Sequence, residues 1–239
     1  LRVAASVIFI LGLSSLMLIW TGLLSKNIVV TTSNLEKNQV IQLPDGSEVI
    51  LNRNTKLTYK NNFGKHSRNV FLSGEAFFDV AKDSVIPFTI DAGKAKIKVV
   101  GTSFNVITSN SDADVEVFVK TGRVLLIDKS GAQNLLLNPG YIGVMGSQRA
   151  GKEVNNDPNY LAWNTGQLKY DGQSLSIVLT DLKKVFDADI IVDEPTILNE
   201  TWTSPAIDNE SLDTIIQLIC GSFNLSYTKD GELYHLSRK

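Results

Sequence analysis

A membrane helix, then an all-β domain, then a small α+β domain with βα repeats is the fold class this chain predicts, and three observations predict it. Val3–Ser25 contains no charged side chain. Between Ile28 and Met145 short apolar runs recur about every 8–12 residues, separated by turn signals and without a helical period, as in a sandwich, a jelly roll or a β-solenoid. Beyond Tyr160 a shift of 37 residues superimposes two helix-like segments, each followed by a strand-like one. The expected boundaries are 1–26 for the membrane helix, 27–148 for the β domain, 149–159 for a linker and 160–239 for the α+β domain.

The uncharged run lies between Arg2 and Lys26. At about 1.5 Å per residue it makes a helix of about 35 Å, enough to cross a hydrocarbon core of about 30 Å with some tilt. Trp20 is placed toward one interface. Gly12, Ser14 and Ser15 permit close helix contact, but no Gly-x-x-x-Gly pair is present, so lipid-facing variation is the plainer reading. No Ala-x-Ala site follows the run and neither does a cysteine, so an uncleaved anchor is expected rather than a signal peptide or a lipoprotein. One charge on each flank does not orient it. Because the sequence begins with Leu1 rather than Met, an upstream segment is expected.

The strands expected next are Ile28–Thr32, Gln39–Leu43, Glu48–Leu51, Lys56–Tyr59 and Asn69–Leu72. Pro44-Asp45-Gly46-Ser47 reads as a hairpin turn, with Pro presetting φ and Gly supplying a positive one. The densest strand-like stretch is Phe71–Ile107. In it Glu75–Val80 opens after Ser73-Gly74, Phe88–Ile90 follows Pro87, and Ala95, Ile97 and Val99 alternate with Lys94, Lys96 and Lys98, so one face is buried and the other wet. Phe104–Ile107 resumes after Gly101-Thr102. Val115–Val119, Gly122–Asp128, Leu135–Leu137 and Tyr141–Met145 complete the set.

Residues 147–159 are polar and contain Pro158, hence the linker. Tyr160 and Trp163 are expected to dock on the helix that follows a short strand at Gln167–Tyr170. In the 37-residue repeat, Ser174-Leu175 overlies Ser211-Leu212, Leu179 overlies Ile216, Leu182 overlies Ile219, and Phe186 overlies Phe223. Each Ser is a good N-cap and each Phe closes a helix before a strand, at Ile190–Val192 and Leu225–Tyr227. A turn at Lys229–Glu232 leads to Leu233–Leu236.

Charge divides near residue 150: residues 26–150 hold 15 Lys+Arg against 11 Asp+Glu, hence +4, and 151–239 hold 7 against 14, hence −7. The positive half is scattered and lacks an Arg-rich tract, which argues against nucleic acid as a partner. Cys220 is the only cysteine, and His66 and His235 are far apart, so neither a disulfide nor a metal site is expected. No serine sits in a Gly-x-Ser-x-Gly elbow and no phosphate loop occurs, so an enzyme and a cofactor are not expected. Glu75 and Asp79 share a strand face, which fits a carboxylate pair less well than a solvated face beside Lys82.

Leu43-Pro44-Asp45-Gly46-Ser47, Leu51-Asn52, Gly74–Val80 and Val100-Gly101-Thr102-x-Phe104-Asn105-Val106, in that order, resemble the FecR family of membrane-spanning anti-sigma factors. The Tyr160–Trp163 junction is similar to that of FecR-like proteins with an added C-terminal module, and residues 160–239 resemble the short N-terminal module of secretins and TonB-dependent receptors, a docking fold. The resemblance implies an inner-membrane, single-pass protein with a cytoplasmic N-terminal side and a periplasmic bulk. It implies two partners: a cytoplasmic ECF-type sigma factor, held by the upstream segment, and the signalling domain of an outer-membrane transporter for iron chelates or glycans. Strand addition at the terminal hairpin puts Leu225, Tyr227, Leu233 and Leu236 at the second interface. Gly101-Thr102 matches the dipeptide at which some FecR-like proteins cut themselves; a β-bulge at Gly101 followed by an ordinary strand Thr is the competing reading. The alternative function is a membrane-anchored docking or assembly module without sigma-factor regulation.

Overall fold

The structure, a computed structural model, describes residues 10–15, 25–108, 114–146 and 150–239. Residues 10–15 are helical and Ser25 and Lys26 are not; residues 1–9 and 16–24 of the expected membrane helix lie outside the described residues, among which no helix is long and apolar enough to cross a membrane. Two compact units divide at Val154 and Asn155.

The first unit is a sandwich of thirteen strands: β1 Asn27–Thr31, β2 Gln39–Gln42, β3 Glu48–Leu51, β4 Lys56–Lys60, β5 Arg68–Asp79, β6 Phe88–Asp91, β7 Ala95–Val99, β8 Ser103–Thr108, β9 Val115–Thr121, β10 Val124–Asp128, β11 Asn134–Leu137, β12 Tyr141–Met145 and β13 Ala150–Val154. One sheet runs β11-β10-β7-β6-β5-β4-β1 and the other β2-β3-β5-β8-β9-β12-β13. All pairs are antiparallel except β5 with β6. Alternation explains the packing: Ala95, Ile97 and Val99 point inward while Lys96 and Lys98 are exposed. Inward residues of both sheets form one core, where Phe78 of the second sheet meets Phe88 of the first edge-to-face at 6.1 Å.

Two sequence expectations change here. Asn69–Leu72 and Glu75–Val80 are a single twelve-residue strand, β5, shared by both sheets. Gly74 does not end the strand. Its φ of +109° bends the chain from one sheet into the other, and its N–H stays paired by donating to Thr108 Oγ1 at 2.7 Å. The polar stretch expected as a linker contains β13, an edge strand paired with β12. Edge strands tolerate Lys152 and Glu153 where a central strand would not, so polarity alone did not mark a linker.

The second unit packs three helices, α1 Ala162–Thr165, α2 Leu175–Phe186 and α3 Leu212–Phe223, on short sheets, two of them the pairs β14 (Gln167–Leu168) with β18 (Ile207–Asp208) and β15 (Gln173–Ser174) with β17 (Thr201–Trp202). The largest orders β16 (Asp189–Val192), β20 (Leu233–Arg238) and β19 (Leu225–Asp230), with β16 parallel to β20. Both long helices end in a left-handed residue, Asp187 and Asn224. Only one of the expected serine caps bonds: Ser211 Oγ accepts from Thr214 N–H, whereas Ser174 makes no cap bond and Leu175 N–H donates instead to Glu200 O at 2.8 Å. Trp163 and Tyr160 are buried, with Lys184 of α2 standing 4.8 Å above the Tyr160 ring.

Candidate functional site

The loop from Val80 to Pro87 has no regular structure, so its buried backbone groups need partners from elsewhere. Arg68, at the start of β5 and 1% exposed, pairs three of the loop's carbonyls. Its Nε donates to Ile86 O at 2.7 Å, Nη1 to Ala81 O at 2.8 Å and Nη2 to Asp83 O at 3.1 Å. Nη1 also meets Asp45 Oδ2 at 3.1 Å. Asp45 in turn accepts from Ser47 N–H and Oγ–H, and Ser47 Oγ accepts from Ala81 N–H. The hairpin turn read from Pro44–Ser47 is therefore also the anchor of a buried charge.

That loop lies against Gly101. Asp83 N–H donates to Val100 O at 2.8 Å and Val80 N–H to Thr102 O at 3.0 Å, so it is stitched on both sides of the glycine. A Cβ at Gly101 would stand 2.9 Å from Lys82 Cα, and φ is +153°, so only glycine fits. On the other side Gly122, in the turn between β9 and β10, comes so near that a Cβ there would lie 2.8 Å from Gly101 O and 2.7 Å from Thr102 Oγ1. Thr102 is buried, and its hydroxyl donates to Arg123 O at 3.0 Å. The register shifts just beyond, between Ser103 and Phe104, where β9 has Lys120 unpaired between Val119 and Thr121, and Thr102 precedes the strand.

Carboxylates near this junction are occupied. Asp79 accepts from Ser103 Oγ at 2.7 Å, and Glu75 bridges Asn52 Nδ2 at 2.7 Å and Asn105 Nδ2 at 2.9 Å. Glu75 and Asp79 share a face as expected, each with its own partners. Asp83 is held below the usual carboxylate range by the N–H groups of Ile86 and Val85.

In the second unit the four hairpin residues do not form one surface. Leu225 and Leu236 are core residues, each 1% exposed, and Tyr227 and Leu233 are half-buried. Period-2 alternation turns Leu225 and Leu236 inward, and β16 occupies the second side of β20, leaving only β19 of the hairpin with a free edge.

Two family models match the chain: one described as FecR protein over residues 29–125, the other as FecR, C-terminal, over residues 167–235, together more than half its length. The chain belongs to the FecR family. No curated protein matches it at a significant level. Two crystal structures from Parabacteroides distasonis ATCC 8503, at 2.50 Å and 1.65 Å resolution and both provisionally designated an anti-sigma factor, are similar to it. Each is 27% identical with a TM-score of 0.63; the first covers 90% of this chain and 100% of its own, the second 89% and 99%.

Within this FecR-family chain Arg68, a residue that sequence reading did not single out, ties Asp45 of the Pro44–Ser47 turn to the loop that bonds on both sides of Gly101. A lone Arg before an apolar strand carries no periodic or motif signal. What could have marked it is position: a charge at the inward register of β5, in line with Val70 and Leu72, has to be paired.

Proposed function

We propose that the chain is a single-span anti-sigma factor of the cytoplasmic membrane, relaying a signal from an outer-membrane TonB-dependent transporter to a cytoplasmic ECF-type sigma factor. The observation that carries this reading is the succession of the two FecR matches over the two structural units, supported by similar structures designated as anti-sigma factors. In this reading Val3–Ser25 spans the bilayer, the upstream segment holds the sigma factor, and both units are periplasmic. The two helix–strand segments of the second unit are copies of one docking element, and that unit, carrying the −7 charge of its half of the chain, meets the transporter's signalling domain along β19. The test is a reporter of the sigma-dependent promoter in cells carrying the complete gene. Truncation after Val154 should abolish the response to inducer; an unaltered response would remove the second unit's docking role.

The relay is proposed to include a cut between Gly101 and Thr102, supported by the confinement of that peptide between Lys82 and Gly122. Thr102 Oγ1 attacks the Gly101 carbonyl carbon; the hydroxyl proton passes to the Thr102 nitrogen as the C–N bond breaks, leaving an ester. Water then adds to the same carbon and releases the Thr102 hydroxyl and the Gly101 carboxylate. The hydroxyl's partner is a backbone carbonyl, so the acceleration is assigned to backbone geometry rather than to a general base.

A further inference from the structure

The two outer faces of the sandwich carry opposite charge. On the first sheet the outward residues of β4 and β7 are Lys56, Lys60, Lys96 and Lys98, all exposed, and Asp91 of β6 is the acid among them. None of the four lysines makes an ion pair among the described residues. The same face exposes large apolar side chains: Phe71 is 53% exposed, Val29 50% and Leu136 49%. The strand register aligns Val29, Thr58, Phe71, Asp91, Lys96 and Ile127 in one row across five strand pairings. At about 4.8 Å per strand, Phe71 stands about 10 Å from both Val29 and Lys96. On the second sheet the outward charges are Glu48, Glu75, Asp79, Glu116 and Glu153 against Lys120.

We infer that the outer face of the first sheet is a docking surface for an anionic lipid bilayer, with Phe71 and Val29 at the apolar boundary and the lysines among the headgroups. Lysines give the attraction and exposed aromatic and aliphatic groups the partition, a pairing that suits a lipid interface better than a nucleic acid, which would favour arginine and stacking. Placement agrees: β1, which carries Val29, starts at Asn27, directly after the uncharged run and Lys26. The inference rests on the membrane-anchor reading for that proximity alone. The acidic face would then point away from the bilayer.

The experiment uses the full chain in a Cys220→Ser background, with an environment-sensitive fluorophore at Phe71→Cys or, as the control on the other face, at Val40→Cys, 53% exposed on β2. Emission is compared in phosphatidylcholine vesicles and in vesicles made largely of phosphatidylglycerol. The label at 71 should shift to the blue in the anionic vesicles only, and the label at 40 in neither. Each lysine beside an anionic leaflet is worth about fivefold in the docking equilibrium at low salt, so Lys96→Gln with Lys98→Gln should lower the ratio of shifted to unshifted label about 25-fold, and added salt should weaken it. Equal emission at 71 and 40, or a shift at 71 indifferent to lipid charge, would overturn the inference. Flotation of the same samples in carbonate reports the anchor separately: loss of flotation refutes the anchor, and the comparison of 71 with 40 at low salt still decides the docking face.

Discussion

The two units handle charge in opposite ways. The sandwich buries an arginine and spends it on loop carbonyls; the C-terminal unit keeps its ion pairs at the surface, as in Arg238 with Glu194 at 2.8 Å, side chains 58% and 48% exposed. A buried pair must be fully hydrogen-bonded or it costs several kcal/mol, whereas an exposed pair contributes little. The difference lies in where the ion pairs sit: in the sandwich the buried Arg68–Asp45 pair shapes one junction, and in the second unit the ion pairs stand in solvent.

The largest expected effect is therefore at Arg68. Arg68→Met leaves Asp45 and three carbonyls without their donor, and should cost the sandwich about 3–5 kcal/mol in urea unfolding followed by far-ultraviolet dichroism. A loss below about 1 kcal/mol would erase the contrast between the units. Gly74→Ala comes next at about 2–3 kcal/mol, because φ is +109° and the new Cβ would stand 2.5 Å from Thr55 Oγ1.

Asp181 sharpens the comparison from the other side, as a half-buried carboxylate in the second unit. Burial pushes its pKa up, with Asp157 adding to the rise, while Asn159, Tyr170 and Lys184 oppose it. As pH rises above about 4 the unfolded chain releases this proton first, so stability should fall toward neutral pH. Asp181→Asn should flatten that decline, read by Trp fluorescence, since Trp163 and Trp202 both lie in this unit; an identical pH profile would refute the assignment. The smallest effect is expected at Arg238→Met, about 0–1 kcal/mol by the same fluorescence.

Most strands were legible because alternation and turn chemistry are local. Ala95–Val99 is read from its lysines, and the Pro44–Ser47 turn from Pro and Gly. The failures have physical causes. Ser73-Gly74 reads as a strand end because a positive φ and a tight bend look alike in sequence, and only the pairing of β5 with both sheets separates them. β13 reads as linker because an edge strand has no apolar face to betray it. At the candidate site Gly101 and Thr102 were legible as a motif, whereas the residues that confine them, Lys82 in a loop, Gly122 in a turn and Arg68 at a strand start, are distant in sequence and leave no local pattern.

The claim that organises the molecule is that the sandwich confines one peptide bond, Gly101–Thr102, for self-cleavage. Intact mass of the folded chain tests it directly. The account predicts two fragments, one ending at Gly101 and one beginning at Thr102, held together by the pairing of β5 with β8, with the cut kept in Thr102→Ser and abolished in Thr102→Ala. A wild-type chain that remains a single uncut mass would contradict it.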